Sequence, residues 1–182
     1  MKRKRETNEV ADVIAKRREK TAIRKGYVSL LVRVIVLIAA GYVFFTQVFL
    51  ITQTHGQGMF PALKDGDLAI VFRLQQAYAR EDVIAYRAGG ERRFGRIVAR
   101  GTDVVTIDES GVLLVNGTPQ SGEILYPTYP KEGMEYPYRV PEGTVFVLGD
   151  YRTQTEDSRD FGPVSLDDVE GKGITSLRRR GI

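Results

Sequence analysis

The side chains able to do chemistry are few, and the missing kinds decide as much as those present. The 182 residues include no cysteine, which excludes disulfide frameworks, thiolate zinc sites and cysteine nucleophiles. They include one histidine, His55, so a multi-histidine metal site is excluded, and neither a metal nor another cofactor is expected. A serine–histidine–aspartate triad would have to be built on that residue. Its neighbour Thr54 carries a hydroxyl, but adjacent residues of an extended chain point to opposite faces, so the two make a poor nucleophile–base pair. His55 reads better as an exposed loop residue. Lysine bases are also scarce: beyond residue 51 there are only Lys64, Lys131 and Lys172. The densest polar stretch is Gly149-Asp150-Tyr151-Arg152-Thr153-Gln154-Thr155-Glu156-Asp157-Ser158-Arg159-Asp160-Phe161-Gly162.

Something must position these groups, and the chain divides into two textures. Residues 1–26 hold ten basic and four acidic residues, a net charge of +6, while the remaining residues are slightly acidic. The basic excess therefore lies at one end and not on a folded surface, which argues against a nucleic-acid partner. Residues 27–51, YVSLLVRVIVLIAAGYVFFTQVFLI, carry a single charge, Arg33. A helix of that length spans about 37 Å, enough for a hydrocarbon core of about 30 Å with some tilt. Arg33 sits near the start and can snorkel to the basic side. The positive-inside rule places 1–26 in the cytoplasm and 52–182 outside, as a single-pass protein of the cell membrane. The alternative is a cleavable secretory signal, for which the apolar stretch is too long. Residues 8–25 could form a basic helix on lipid headgroups, ended by Gly26, or a solvated tail.

Beyond Gln53, runs of β-branched and aromatic residues alternate with turn residues. Six strands are expected: 68–72, 82–86, 93–99, 104–107, 112–115 and 144–148, in an antiparallel all-β domain. Asn116-Gly117 is a hairpin turn signal, because both positions tolerate positive φ. It also completes a glycosylation sequon with Thr118, read here as turn chemistry. Residues 119–141 hold four of the nine tyrosines and five of the seven prolines. Proline removes ladder donors, so this is an extended insertion, either a flap packed on the domain or a surface for a partner.

Three stretches then fall in order behind the apolar segment: His55-Gly56-Gln57-Gly58-Met59-Phe60-Pro61-Ala62-Leu63; Phe94-Gly95-Arg96-Ile97-Val98; and the polar stretch 149–162. Together they resemble the bacterial type I signal peptidases, from residue 27 onward. The third is the most specific, with Gly-Asp-x-Arg, Asp-Ser-Arg and Phe-Gly in series. The resemblance implies a partly closed antiparallel barrel on one membrane anchor. It also implies a serine nucleophile just before Met59 and a lysine base just before Arg96. Those positions are Gly58 and Gly95, so the resemblance implies a family member without its catalytic pair. The same resemblance makes Met59, Pro61, Arg96, Asp150, Thr155, Asp157, Ser158 and Arg159 the motif and cleft support. Thr155 keeps the hydroxyl that would contact the lysine, and Asp157 is expected to pair with Arg159. Ala62 and Tyr151 depart from the family's usual residues.

Two functions are compatible with this. One is a non-catalytic chaperone or assembly factor for exported preproteins such as pilins. It would act beside sortase or pilus machinery, as the resemblance to Gram-positive, pilus-associated relatives implies. The other is an active peptidase removing signal peptides from secreted preproteins with substitute residues. In either case the partners are an extended peptide, membrane lipid and no nucleic acid. The expected docking segments are Thr52–Gln57 and Asp82–Tyr86, with the two glycines leaving extra room.

Overall fold

The computed structural model describes residues 2–75, 77–120 and 125–178, with side chains from residue 23 on. Lys2–Val48 form one helix, α1. Within it Ile23–Val48 are 26 residues, long and apolar enough to cross a membrane. The apolar side chains from Tyr27 to Phe44 are exposed, as lipid-facing residues would be. The helix continues through Gly26, where the basic-helix alternative would have ended it, and includes the residues that the other alternative left as a solvated tail. A mid-helix glycine costs only about 1 kcal/mol, too little to end a helix between two favourable segments.

The second unit, Gln47–Ile182, is all β apart from short helices. Its strands are β1 (Phe49–Gln53), β2 (Leu68–Phe72), β3 (Val83–Ala88), β4 (Glu91–Arg100), β5 (Val104–Ile107), β6 (Leu113–Val115), β7 (Thr118–Pro119), β8 (Tyr138–Arg139), β9 (Thr144–Leu148), β10 (Val164–Ser165) and β11 (Val169–Leu177). One helical turn, α2 (Ser158–Phe161), lies between β9 and β10.

The strands form two antiparallel sheets. One has seven strands in the order β1-β2-β11-β3-β4-β9-β10, and the other has four in the order β7-β6-β5-β8. Neither is closed, which corrects the expected partly closed barrel. Closure would require the two ends of the large sheet to pair. β10 is only two residues long and leads into a 3₁₀ turn at Leu166–Asp168, while β1 pairs with β2 alone among the described strands.

Five strands beyond the expected six appear, and the longest of them is β11. Its sequence, VEGKGITSL, interrupts β-branched residues with Gly171 and Gly173 and so has no strand-like alternation. The glycines are there because the sheet is bulged. Register shifts on both sides of β11, and a Cβ on Gly171 (φ 152°) would drive into the Phe72 carbonyl.

Two apolar clusters hold the layers. Val98, Val105, Leu113, Val140, Phe146 and Leu148 pack with Tyr136 and Tyr138 of the 119–141 insertion. Ile84, Tyr86, Ile97, Val145, Val147 and Val164 form the other, under β3, β4 and β9. Each such fully buried side chain contributes about 1.5–3 kcal/mol. The expected hairpin is present: Asn116 (φ 53°) and Gly117 (φ 79°) turn β6 into β7, and Asn116 Oδ1 accepts from Val104 N at 2.8 Å.

Candidate functional site

A cleft of about 440 Å³ opens between the loop after β1 and the first half of β4, with the loop after β9 beside it. Thr54, His55, Gly58 and Met59 line one side. Arg92, Arg93 and Phe94 line the other, and Thr155 and Glu156 come from the third loop. β9 pairs with β4 only from Arg96 onward, so the 91–95 half of β4 has no partner on that side among the described strands. The expected docking segment Asp82–Tyr86 does not have this freedom. β3 is hydrogen-bonded to β4 on one side and to β11 on the other, which leaves no edge for a peptide.

The loop carrying Gly58 is fixed by main-chain bonds. Tyr151 N donates to Gly58 O at 3.0 Å, and Leu63 N donates to Met59 O at 2.9 Å, turning the chain through Pro61 with Met59 buried. This loop presses against the end of β9: a Cβ on Gly149 would stand 2.5 Å from Gly58 O. Real Cβ atoms do not approach that closely, which explains the glycine before Asp150.

Both positions at which the resemblance places catalytic side chains are occupied by neighbours. A Cβ on Gly58 would collide with Thr155 Oγ1. On Gly95 it would collide with Val147 Cγ1 and lie 3.2 Å from Tyr86 Cε1 and 3.4 Å from Leu148 O. The glycines therefore do not enlarge the cleft, contrary to the expectation. Val147 and Tyr86 belong to the second apolar cluster, and both are buried.

The residues around this centre form a frame. Arg96 grips Asp150 with two bonds, Nε–Oδ1 2.8 Å and Nη2–Oδ2 2.7 Å, and donates to Glu81 O at 2.8 Å. The hydrogen bonds to Asp150 hold the Arg96 pKa above its ordinary value, against the opposing effect of burial. Asp157 caps α2 in a capping box with Asp160 and also accepts from Gly149 N at 3.3 Å. Asp157 and Arg159 pair at 2.8 Å with each side chain 1% exposed. Arg159 also donates to Tyr129 O (3.1 Å) and Arg152 O (2.6 Å), tying the insertion to this loop. Ser158, fully buried, accepts from Val147 N at 2.9 Å, which ties its hydroxyl to β9.

Thr54 is buried and donates to Lys64 O at 2.5 Å. His55 is exposed. Lys131 is bound to Thr155 O and Asp160, both at 2.6 Å. Lys172 pairs with Asp82 at 2.6 Å, and the Lys64 ammonium lies 5.7 Å over the Phe60 ring.

The sequence reading passed over several residues that shape the cleft. Val147 lies within the expected strand 144–148 and Arg93 begins the expected strand 93–99, while Arg92 falls in no expected element. Arg152 is 3% exposed and bonds to Thr128 Oγ1 and Gln120 Oε1 instead of a carboxylate, and burial lowers its pKa to about 10. The one available signal was the charged run Glu91-Arg92-Arg93 just ahead of Gly95.

Residues 25–177 match the family described as "Signal peptidase, peptidase S26". The chain is 31% identical over 134 residues to signal peptidase I of Bacillus caldolyticus, covering 65% of this chain and 73% of that protein. It is 32% identical over 129 residues to a probable thylakoidal processing peptidase 2 of the Arabidopsis thaliana chloroplast, covering 64% of this chain but 34% of that longer protein. The crystal structure of a signal peptidase I from Enterococcus faecalis V583 is 30% identical, covers 53% of this chain and 97% of its own, and has a TM-score of 0.46.

Proposed function

The chain belongs to the signal peptidase family, peptidase S26, and from that premise we propose that it holds exported polypeptide at the membrane without cutting it. One observation carries this reading. The places where a serine and a lysine side chain would stand are filled by Thr155 Oγ1 and by Val147 with Tyr86. A glycine has neither nucleophile nor base, and a side chain at either position would require Thr155 or Val147 to move.

The binding half of the reading rests on the free 91–95 edge of β4. An extended segment can add there as a strand, bound through main-chain hydrogen bonds that need no catalytic side chain. The client class is an exported preprotein segment such as a pilin, handed on to sortase or pilus machinery. The apolar helix Ile23–Val48 anchors the chain in the membrane, with the basic end cytoplasmic by its charge. The competing reading, an active peptidase with substitute residues, draws no support from Thr54, His55 or the three lysines as they are bonded.

Titration of the full chain in detergent micelles with a pilin segment or signal-region peptide tests the binding. Amide resonances of Thr54–Met59 and Arg92–Phe94 should shift. Shifts confined to 125–141 would move the client to the insertion and reject the cleft.

A further inference from the structure

Arg93 stands out among the arginines around the cleft by how little of its guanidinium is used. Arg96 spends Nε, Nη1 and Nη2 on Asp150 and Glu81, and Arg92 spends its three nitrogens on Glu170 and Thr52. Arg93 makes one hydrogen bond among the described residues, Nη1 to Glu156 Oε2 at 3.0 Å. Its Nε is buried with no hydrogen-bond partner among the described residues. Glu91 lies 3.7 Å from Nη2, too far for a good hydrogen bond. Both carboxylates sit on exposed side chains, 72% for Glu156 and 76% for Glu91, whereas Arg93 itself is 28% exposed. Pairs of that kind contribute little and exchange readily with solvent.

The place of Arg93 gives this spare capacity a use. Its main chain lies on the free half of β4. In a strand pair, directly opposite residues set their side chains on the same face, about 4.5–5.5 Å apart at Cβ. A client strand added to that edge therefore brings one side chain beside the Arg93 guanidinium. The guanidinium is held in position over the Phe161 ring, 5.8 Å from its centre. It stands between the cleft and a second cavity of about 530 Å³, and both are lined by Arg93 and Glu156. A carboxylate arriving there would meet a half-buried fork of unspent donors, and Glu156 can swing into water to admit it.

We infer that Arg93 determines specificity in the cleft and selects client segments bearing an aspartate or glutamate side chain opposite it. This rests on the reading that the cleft holds an extended peptide, and it adds which peptide is held. Arg92 and Arg96 already have all three guanidinium nitrogens bonded, so neither offers that carboxylate an open fork.

The test uses the full chain in detergent micelles and calorimetric titration with nonapeptides of Ala, Val and Thr. Each peptide is acetylated and amidated, so that a scanned Asp is its only charge. One Asp register should bind about tenfold tighter than the uncharged host at low salt, with the gain shrinking as salt rises. Arg93→Gln should erase that gain, so that the Asp peptides and the host bind alike. Arg93→Glu should transfer the preference to a Lys-scanned peptide, and Glu156→Gln should enlarge the gain for Asp. Equal binding of host and every Asp peptide by the native chain, or a gain that survives Arg93→Gln, overturns the inference while leaving the cleft intact. Absence of binding by host and Asp peptides alike overturns the cleft reading together with it.

Discussion

Thr155 Oγ1 lies where a side chain on Gly58 would begin, and the same oxygen is 2.5 Å from the position of a Cβ on Gly149. Three chain segments thus meet around one hydroxyl, with no room for a fourth group. At Gly95 the equivalent plug is Val147, held in register by the Ser158 hydroxyl. The packing is therefore tight at both glycines.

Stability measurements on the Gly95–Val147 contact follow from this. Gly95→Ala should cost about 1–3 kcal/mol, as overpacking a tight site does. Combined with Val147→Ala, the loss should be smaller than the sum of the single losses by at least about 1 kcal/mol, since the second change removes the collision. Denaturant unfolding of the four chains checks it, and strict additivity would mean the two residues do not touch.

Asp157 and Arg159 should be among the most sensitive residues for folding. Arg159→Ala leaves a carboxylate buried without its partner and should cost about 3–5 kcal/mol. Because Arg159 also holds Tyr129 O, limited proteolysis of the variant should cut within 125–141 sooner than in the native chain. Arg159→Lys cannot serve Asp157, Tyr129 and Arg152 together and should recover only part of the loss.

Acid should weaken the domain through Glu170. The Arg92 hydrogen bond, opposed by burial and aided by Arg87, lowers its pKa below the ordinary 4.5. A carboxylate with a depressed folded pKa contributes stability that is present above its unfolded pKa and lost as pH falls through the folded one. Thermal unfolding of the full chain in micelles should therefore weaken as pH drops below 4.5. In Glu170→Gln the stability above pH 4.5 should be lower and the acid-dependent part of the decline smaller. An unchanged acid profile in the variant would count against the Arg92–Glu170–Arg87 cluster as its source.

The orientation prediction depends on charge alone. With a net +6 in residues 1–26, protease added to intact protoplasts should digest the β domain and spare an N-terminal tag. Digestion of the tag with a protected domain would reverse the assignment.

Much of this architecture was legible before any coordinates, and the exceptions share a cause. The apolar helix and strands such as 68–72, 104–107 and 144–148 have strong local patterns, so their sequence suffices. β11 was missed because its glycines answer to β2 and β3, which are distant in sequence. The barrel expectation failed because closure depends on whether two end strands meet, which no local pattern records. In the site, Gly58 and Gly95 were readable as the positions where the resemblance implies a serine and a lysine. That Thr155 and Val147 fill their places, and that β4 rather than β3 keeps a free edge, depends on contacts between segments far apart in the chain.

The central claim is tested most directly by single-turnover incubation of the full chain with a signal-peptide-bearing preprotein. Cleavage products should be absent for the native chain. They should also be absent for Gly58→Ser with Gly95→Lys, because Thr155 and Val147 stand where the new side chains must go. Cleavage at one defined bond by the native chain, abolished by His55→Ala, would contradict the account and make the protein a peptidase with a rebuilt site.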